Sequence, residues 1–158
     1  MGLKSMGTRM RLFIDPSLCT NCRICEVICS MTKEGGEVNP LKSRIRVVNT
    51  YYFNMAVTCR FCEKAPCVKA CPKNALIQDD TTGVIKVDEQ KCIGCDWCIQ
   101  ACPFGAVVTH PEKMIVICDL CEGEIKCAKH CPTKAIELLP DSSLAYRKKR
   151  EVVLKRFS

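Results

Sequence analysis

Long apolar runs are missing from this 158-residue chain. No stretch approaches the ~18 to 20 apolar residues of a membrane span. Met1 to Ile14 holds basic residues but neither an apolar run of signal length nor a twin-arginine pair. A cytoplasmic protein with no membrane span is therefore expected. Aromatics are scarce as well, with one Trp, five Phe and three Tyr. That is too few for the stacking platforms that hold single-stranded nucleic acid. No Cys-x-x-Cys-His occurs, which excludes a c-type haem. Neither a nucleotide-binding loop nor a flavin fingerprint is visible, so the chain is not expected to be an enzyme with a substrate site of its own.

What the chain has is cysteine. Sixteen cysteines would suggest a disulfide scaffold in a secreted protein, but in a reducing compartment clustered cysteines read as metal ligands. Without them the conventional core is thin, and small domains short of core rely on staples such as metal sites. The metal-free chain is expected to be largely unfolded.

The cysteines fall into four groups of four. The third, Cys92, Cys95, Cys98 and Cys102 followed by Pro103, reads C-x2-C-x2-C-x3-C-P. Three cysteines spaced by two residues wrap one iron–sulfur cube, and the fourth, one helical turn on, points to a different one. The first group, Cys19, Cys22, Cys25 and Cys29, has the same spacing but is followed by Ser30. The second, Cys59, Cys62, Cys67 and Cys71, and the fourth, Cys118, Cys121, Cys127 and Cys131, are widened in the middle and end in Pro72 and Pro132. Four [4Fe–4S] clusters would use every cysteine. Zinc is the competitor, yet a four-cysteine zinc site needs only two C-x2-C pairs and has no use for the third cysteine or the cysteine–proline step.

Repeats tie the groups together. Asp15 precedes Cys19 by four residues, as Asp88 precedes Cys92, and Pro72, Pro103 and Pro132 open three segments that align in register. One unit of strand, cluster loop, helical turn, Pro and strand is used about four times. Strands are expected at Arg9–Ile14, Arg44–Val48 with an aromatic continuation through Tyr51-Tyr-Phe-Asn-Met, and Met114–Ile117. A hairpin is expected over 75–87, closed by the turn ending at Gly83. The aromatics of 51–55 are expected to pack under a cluster, with a partner contact surface as the alternative. Residues 1–8 read as an irregular lead-in, and 141–158 as a basic tail, expected to be helical. Its role is either a solvated surface or docking on an acidic partner. His110 and His130 read as packed or solvated side chains in preference to redox-tuning or proton-passing ones.

In two-cluster ferredoxins, motifs joined by one hairpin exchange their fourth cysteines. The second and third groups fit that pattern. Cys59, Cys62, Cys67 and Cys102 are then expected to hold one cluster, and Cys92, Cys95, Cys98 and Cys71 another. By elimination, Cys19, Cys22, Cys25 and Cys131 hold a third, and Cys118, Cys121, Cys127 and Cys29 the fourth. The expected fold is α+β, with two nested bacterial-ferredoxin-like modules of short strands and short helices around four iron–sulfur clusters. The four-cluster domain spans 9–140, with an inner module at about 55–108 and an outer one at about 9–32 plus 112–140. The Cys92–Cys102 stretch is expected to be a middle link of the row. The net charge of +7 counts every cysteine as neutral. A cubane with four thiolates contributes about −2, so four leave the loaded protein near neutral. Nucleic-acid binding is not expected.

The motif order, the widened second and fourth groups and Cys118-Asp-Leu-Cys121 resemble the four-cluster ferredoxin-like electron-transfer subunits. These include the beta subunits of dimethyl-sulfoxide reductase, formate dehydrogenase and polysulfide reductase. The chain lacks the insertions and C-terminal extension of the larger members, so it is most similar to the compact cytoplasmic subunits of tungsten aldehyde oxidoreductase or carbon-monoxide dehydrogenase. The resemblance covers roughly 10–140. It implies a relay of single electrons between a catalytic subunit, a tungsten or molybdenum pterin enzyme or carbon-monoxide dehydrogenase, and another redox partner. A flavin or hydrogenase subunit at the other end and self-association into a longer wire are further partners it admits. A free diffusible polyferredoxin is the alternative. Trp97 lies between Cys95 and Cys98 and replaces neither, so four cubanes are expected.

Overall fold

Proline sets the length of the helices. The computed structural model describes residues 9–140. In it α2 (Pro66–Lys69), α3 (Trp97–Ala101) and α4 (Lys126–Lys129) are each four or five residues long. Each stops ahead of Pro72, Pro103 or Pro132, because proline lacks an N–H and its ring clashes with the preceding turn. In the first group Ser30 replaces that proline, and α1 (Ile24–Lys33) runs on for 10 residues. Ser30 is fully buried. Its hydroxyl donates to the Val27 carbonyl at 2.9 Å and accepts from the Asn39 N–H at 3.2 Å, which ties the helix to the loop after it. Ser30→Pro is therefore expected to cost about 3 kcal/mol, or about 10 °C in the unfolding midpoint of the loaded protein. A midpoint within 2 °C or so of the parent would contradict this role for the serine.

Short strands and short helices mix along the chain, as expected. Among the described residues the strands form four separate antiparallel pairs. β1 (Met10–Ile14) pairs with β8 (Ile136–Pro140), β2 (Arg46–Asn49) with β3 (Asn54–Val57), β4 (Leu76–Gln78) with β5 (Ile85–Val87), and β6 (Val108–Thr109) with β7 (Ile115–Val116). The β1–β8 and β4–β5 pairs are built alike. In each, a strand that follows a last cysteine returns against the strand that leads into another group. The Asp15 N–H donates to Ala135 O at 2.8 Å, and the Asp88 N–H donates to Ala75 O at 2.7 Å. Each alanine sits four residues past its cysteine, so the pairing delivers Cys131 to the first loop and Cys71 to the third.

Inward-facing Leu12, Ile14, Ile45, Val47, Leu76, Ile85, Ile115 and Ile136 form the apolar core together with buried cysteines. α1 packs on α4, and α2 on α3. Among the described residues no helix is long and apolar enough to cross a membrane. The lead-in 1–8 and the expected tail helix at 141–158 lie outside the described residues.

The aromatic stretch differs from expectation. Tyr51 and Tyr52 do not continue a strand or pack under a cysteine loop. They stand 98% and 91% exposed at the tip of the β2–β3 hairpin, edge to face at 5.6 Å. Thr50 causes this. Its N–H and hydroxyl both donate to Phe53 O, and its hydroxyl accepts from the Phe53 N–H, closing a four-residue turn with the tyrosines at its centre. β2 also begins at Arg46, two residues later than the Arg44 start expected.

Candidate functional site

Each cysteine loop is shaped by a left-handed residue just before its second cysteine. Asn21, Phe61, Gly94 and Leu120 occupy that position with φ of 59°, 49°, 65° and 61°. Only one of the four is glycine, the residue that takes this conformation without cost. Phe61 and Leu120 hold a strain of order 1–3 kcal/mol that the surroundings must impose. Phe61 is fully buried, which fixes it there. Short polar turns lead into the loops. Asp15 Oδ1 accepts from the Ser17 N–H, Asp88 Oδ1 from those of Gln90 and Lys91, and Asp119 Oδ1 from that of Cys121.

These loops and the neighbouring short helices bring all sixteen cysteines to four hollows. Cys19, Cys22, Cys25 and Cys131 line the first. Cys71, Cys92, Cys95 and Cys98 line a second, Cys29, Cys118, Cys121 and Cys127 a third, and Cys59, Cys62, Cys67 and Cys102 a fourth. Every hollow thus takes three cysteines from one group and one from another. The walls between them are mainly apolar, such as Ile14, Val47 and Ile136 in the first and Ile85, Val107 and Ile117 in the fourth. Among the described residues no three His, Cys, Asp or Glu side chains are placed to hold a single metal ion.

Shared elements order the hollows in a row. α1 carries Cys25 in the Cys19 hollow and Cys29 in the Cys118 hollow, and Cys127 and Cys131 on and after α4 make the same link in reverse. Thr58 lines the Cys118 hollow and Cys59 the next, while Ile117 and Cys118 cross the other way. Cys67 with Cys71, and Cys98 with Cys102, then connect to the Cys92 hollow. The row runs from the Cys19 hollow through the Cys118 and Cys59 hollows to the Cys92 hollow. Only Cys22 and Cys95 are exposed, and they lie in the two terminal hollows. This corrects the expected middle position of the Cys92–Cys102 stretch. Cys92, Cys95 and Cys98 belong to an end, and Cys102 alone reaches inward.

The electrostatics of the thiols divide by position. Burial pushes Cys25 and Cys59 up to about 12, Cys98 and Cys118 up to about 11, and Cys67, Cys121 and Cys127 upward as well. At Cys71 the same upward effect of burial is outweighed by surrounding backbone N–H groups, led by Ala75, which donates to Sγ at 3.3 Å, so this thiol is lowered. At Cys131 burial is outweighed by the Thr133 hydroxyl and the N–H groups of Ala135, Ile136 and Thr133. Further N–H donors reach sulfur from Arg44 to Cys29 at 3.3 Å, Phe61 to Cys59 at 3.4 Å and Ala106 to Cys102 at 3.4 Å. Such donors favour the thiolate that a metal needs.

Two charged groups escaped the sequence reading. Glu26, in α1 between two ligand positions, is only 2% exposed, and Lys42 is 4% exposed between Glu37 at 2.6 Å and Glu112 at 2.5 Å. Both look like surface charges in the sequence, and only the tertiary fold covers them. His110 is buried, and its Nδ1 accepts the N–H groups of Glu112 and Lys113. His130 is exposed, with Nδ1 at 2.9 Å from Lys126 O. Neither lines a cysteine hollow. A fifth, wider and more open cavity is lined by Arg44, Lys86, Lys113, Glu89 and Asp119 among others and holds no cysteine.

Comparison with known proteins gives a consistent picture. The model of the 4Fe-4S dicluster domain family matches residues 48–140, a span that holds the second, third and fourth cysteine groups. The polyferredoxin-like subunit of an aliphatic sulfonate oxidoreductase from Pyrococcus furiosus is 46% identical over 126 residues, covering 78% of this chain and 72% of the relative. The putative electron transport protein YsaA of Escherichia coli is 39% identical over 140 residues, covering 81% and 88%. The B subunit of the anaerobic dimethyl sulfoxide reductase of Escherichia coli is 31% identical over 162 residues, covering 88% and 77%.

Proposed function

Since this protein belongs to the 4Fe-4S dicluster domain family, we propose that it is an electron-transfer subunit of an oxidoreductase complex. In this reading it holds four [4Fe–4S] clusters, one in each cysteine-ringed hollow, and carries no substrate chemistry of its own. The observation that carries the reading is the set of four hollows, each lined by three cysteines of one group and one of another and together using every cysteine. An identical four-thiol set suits the same group four times, and the third cysteine of each group with the borrowed fourth suits a cube of iron and sulfur, for which paired C-x2-C zinc sites have no use.

The ligand sets follow the hollows, so each loop lends its fourth cysteine to a neighbour. The β4–β5 hairpin supports an inner module at about 55–108, and the β1–β8 pair supports an outer module at about 9–32 plus 112–140 that encloses it. When bound, each cluster supplies a one-electron couple whose potential depends on charge, hydrogen bonds to sulfur and exposure. The chain's own contribution is spacing, insulation and access. Helical turns place fourth cysteines in adjoining hollows, aliphatic side chains such as Ile85, Val107 and Ile117 wall the Cys59 hollow, paired charges join Leu12, Ile45 and Ile125 around the Cys118 hollow, and Cys22 and Cys95 open the terminal two to partners.

Relatives named as subunits of a sulfonate oxidoreductase and a dimethyl sulfoxide reductase support an oxidoreductase at one end. A tungsten or molybdenum pterin enzyme or carbon-monoxide dehydrogenase is the class of catalytic partner we carry forward. The other end is left to a second redox subunit or a further copy of the chain. Purified anaerobically, the protein is expected to be brown, to contain about sixteen irons per chain and to take up about four electrons in a reductive titration. Stoichiometric zinc, or iron near eight per chain, would overturn the four-cluster reading.

A further inference from the structure

The terminal hollow at Cys22 differs from its neighbour in which local charge is buried. Glu26 is one residue from Cys25, 2% exposed, and held by the Val47 N–H, which donates to Oε1 at 2.6 Å. Val47 and Cys25 both line that hollow. The cation facing Glu26 is Arg23, 3.6 Å from Oε2 and 54% exposed, so water screens it more than it screens the carboxylate. The adjoining hollow has two largely buried cations in its wall, Lys33 and Arg44, each matched by a carboxylate, Asp119 at 2.6 Å and Glu34 at 3.3 Å. The Arg44 N–H points at Cys29 Sγ. Both hollows thus have paired charges, and they differ in which partner is covered: the cations in the adjoining hollow, the carboxylate beside the terminal one, where Arg23 lines the hollow and keeps its guanidinium largely in water.

We infer that Glu26 is a potential-setting residue whose buried carboxylate would hold down the potential of a cluster bound by Cys19, Cys22, Cys25 and Cys131. This inference rests on the four-cluster reading above. A negative charge in a poorly screened site disfavours adding an electron to the thiolate-bound cube beside it.

The test is a redox titration of the full loaded chain followed by EPR, with iron content measured on each sample. Glu26→Gln keeps an oxygen to accept from Val47 and removes only the charge. It is expected to shift one of four midpoints upward. Arg23→Asn, in which asparagine suits the left-handed conformation at φ 57°, is expected to shift the same midpoint downward, by less as salt is raised. A residue that merely supports the fold would move both variants in one direction or neither. No shift in Glu26→Gln at unchanged iron, or shifts of equal sign, would overturn the inference. A parent protein without about sixteen irons would instead overturn the four-cluster reading on which it rests.

Discussion

Stripping the iron from the protein is expected to unfold it, with loss of far-ultraviolet circular dichroism in step with loss of iron. Cys25, Cys29, Cys59, Cys67, Cys98, Cys118, Cys127 and Cys131 are all part of the buried core. The strands around them come as two-stranded pairs of two to five residues, and an isolated hairpin is marginal in water. A structural metal site can contribute on the order of 10 kcal/mol, comparable to the whole net stability of about 5–15 kcal/mol of a domain. Losing four should leave nothing to hold the chain.

The same thiols set the pH dependence. Binding takes their protons away, so acid competes with cluster binding and weakens the loaded protein, and reloading should release protons. Any residual metal-free fold has the opposite dependence. Burial raises Cys25 and Cys59 from 9.0 to about 12. Their neutral forms therefore favour the folded state below about 9, and that contribution is lost as the pH rises from 9 towards 12. A metal-free chain that kept its full circular dichroism would refute the stapled-core account.

Much of this site was legible because cysteine spacing and proline act locally. C-x2-C-x2-C is a loop instruction, and Pro72, Pro103 and Pro132 end helices whatever surrounds them. The aspartates four residues ahead of Cys19 and Cys92 were readable for the same reason, since each caps its own turn. Features imposed by the tertiary fold were not. The β-propensity of Tyr51-Tyr-Phe favoured a continuing strand, but one threonine hydroxyl closes a turn there. Nothing local marks Phe61 or Leu120 as left-handed. Glu26 lies on the stretch that faces two hollows at once, a circumstance visible only when β2 lies across it. The end position of Cys95 follows from the adjoining of the Cys118 and Cys59 hollows through Thr58–Cys59 and Ile117–Cys118, which the spacing within each group does not encode.

The exchange of fourth cysteines is expected to appear as non-additivity between serine variants. Cys102 lines the hollow of Cys59, Cys62 and Cys67, and Cys71 that of Cys92, Cys95 and Cys98. A serine in place of a ligand leaves three thiolates, and the expected loss is up to about four irons per chain for the one site affected. Two variants in the same site cannot lose that cluster twice. Cys102→Ser combined with Cys62→Ser should therefore lose about as much as either alone. Combined with Cys95→Ser it should lose about eight irons, because two sites are opened. Cys71→Ser should behave in the opposite sense, adding to Cys62→Ser and not to Cys95→Ser. The α2–α3 packing makes the comparison informative, since these helices carry ligands of both hollows and a general loosening would make every pair non-additive. If Cys102→Ser added to Cys62→Ser but not to Cys95→Ser, each group would be holding its own four cysteines. The row would then be four closed sites with no ligand shared between neighbouring loops.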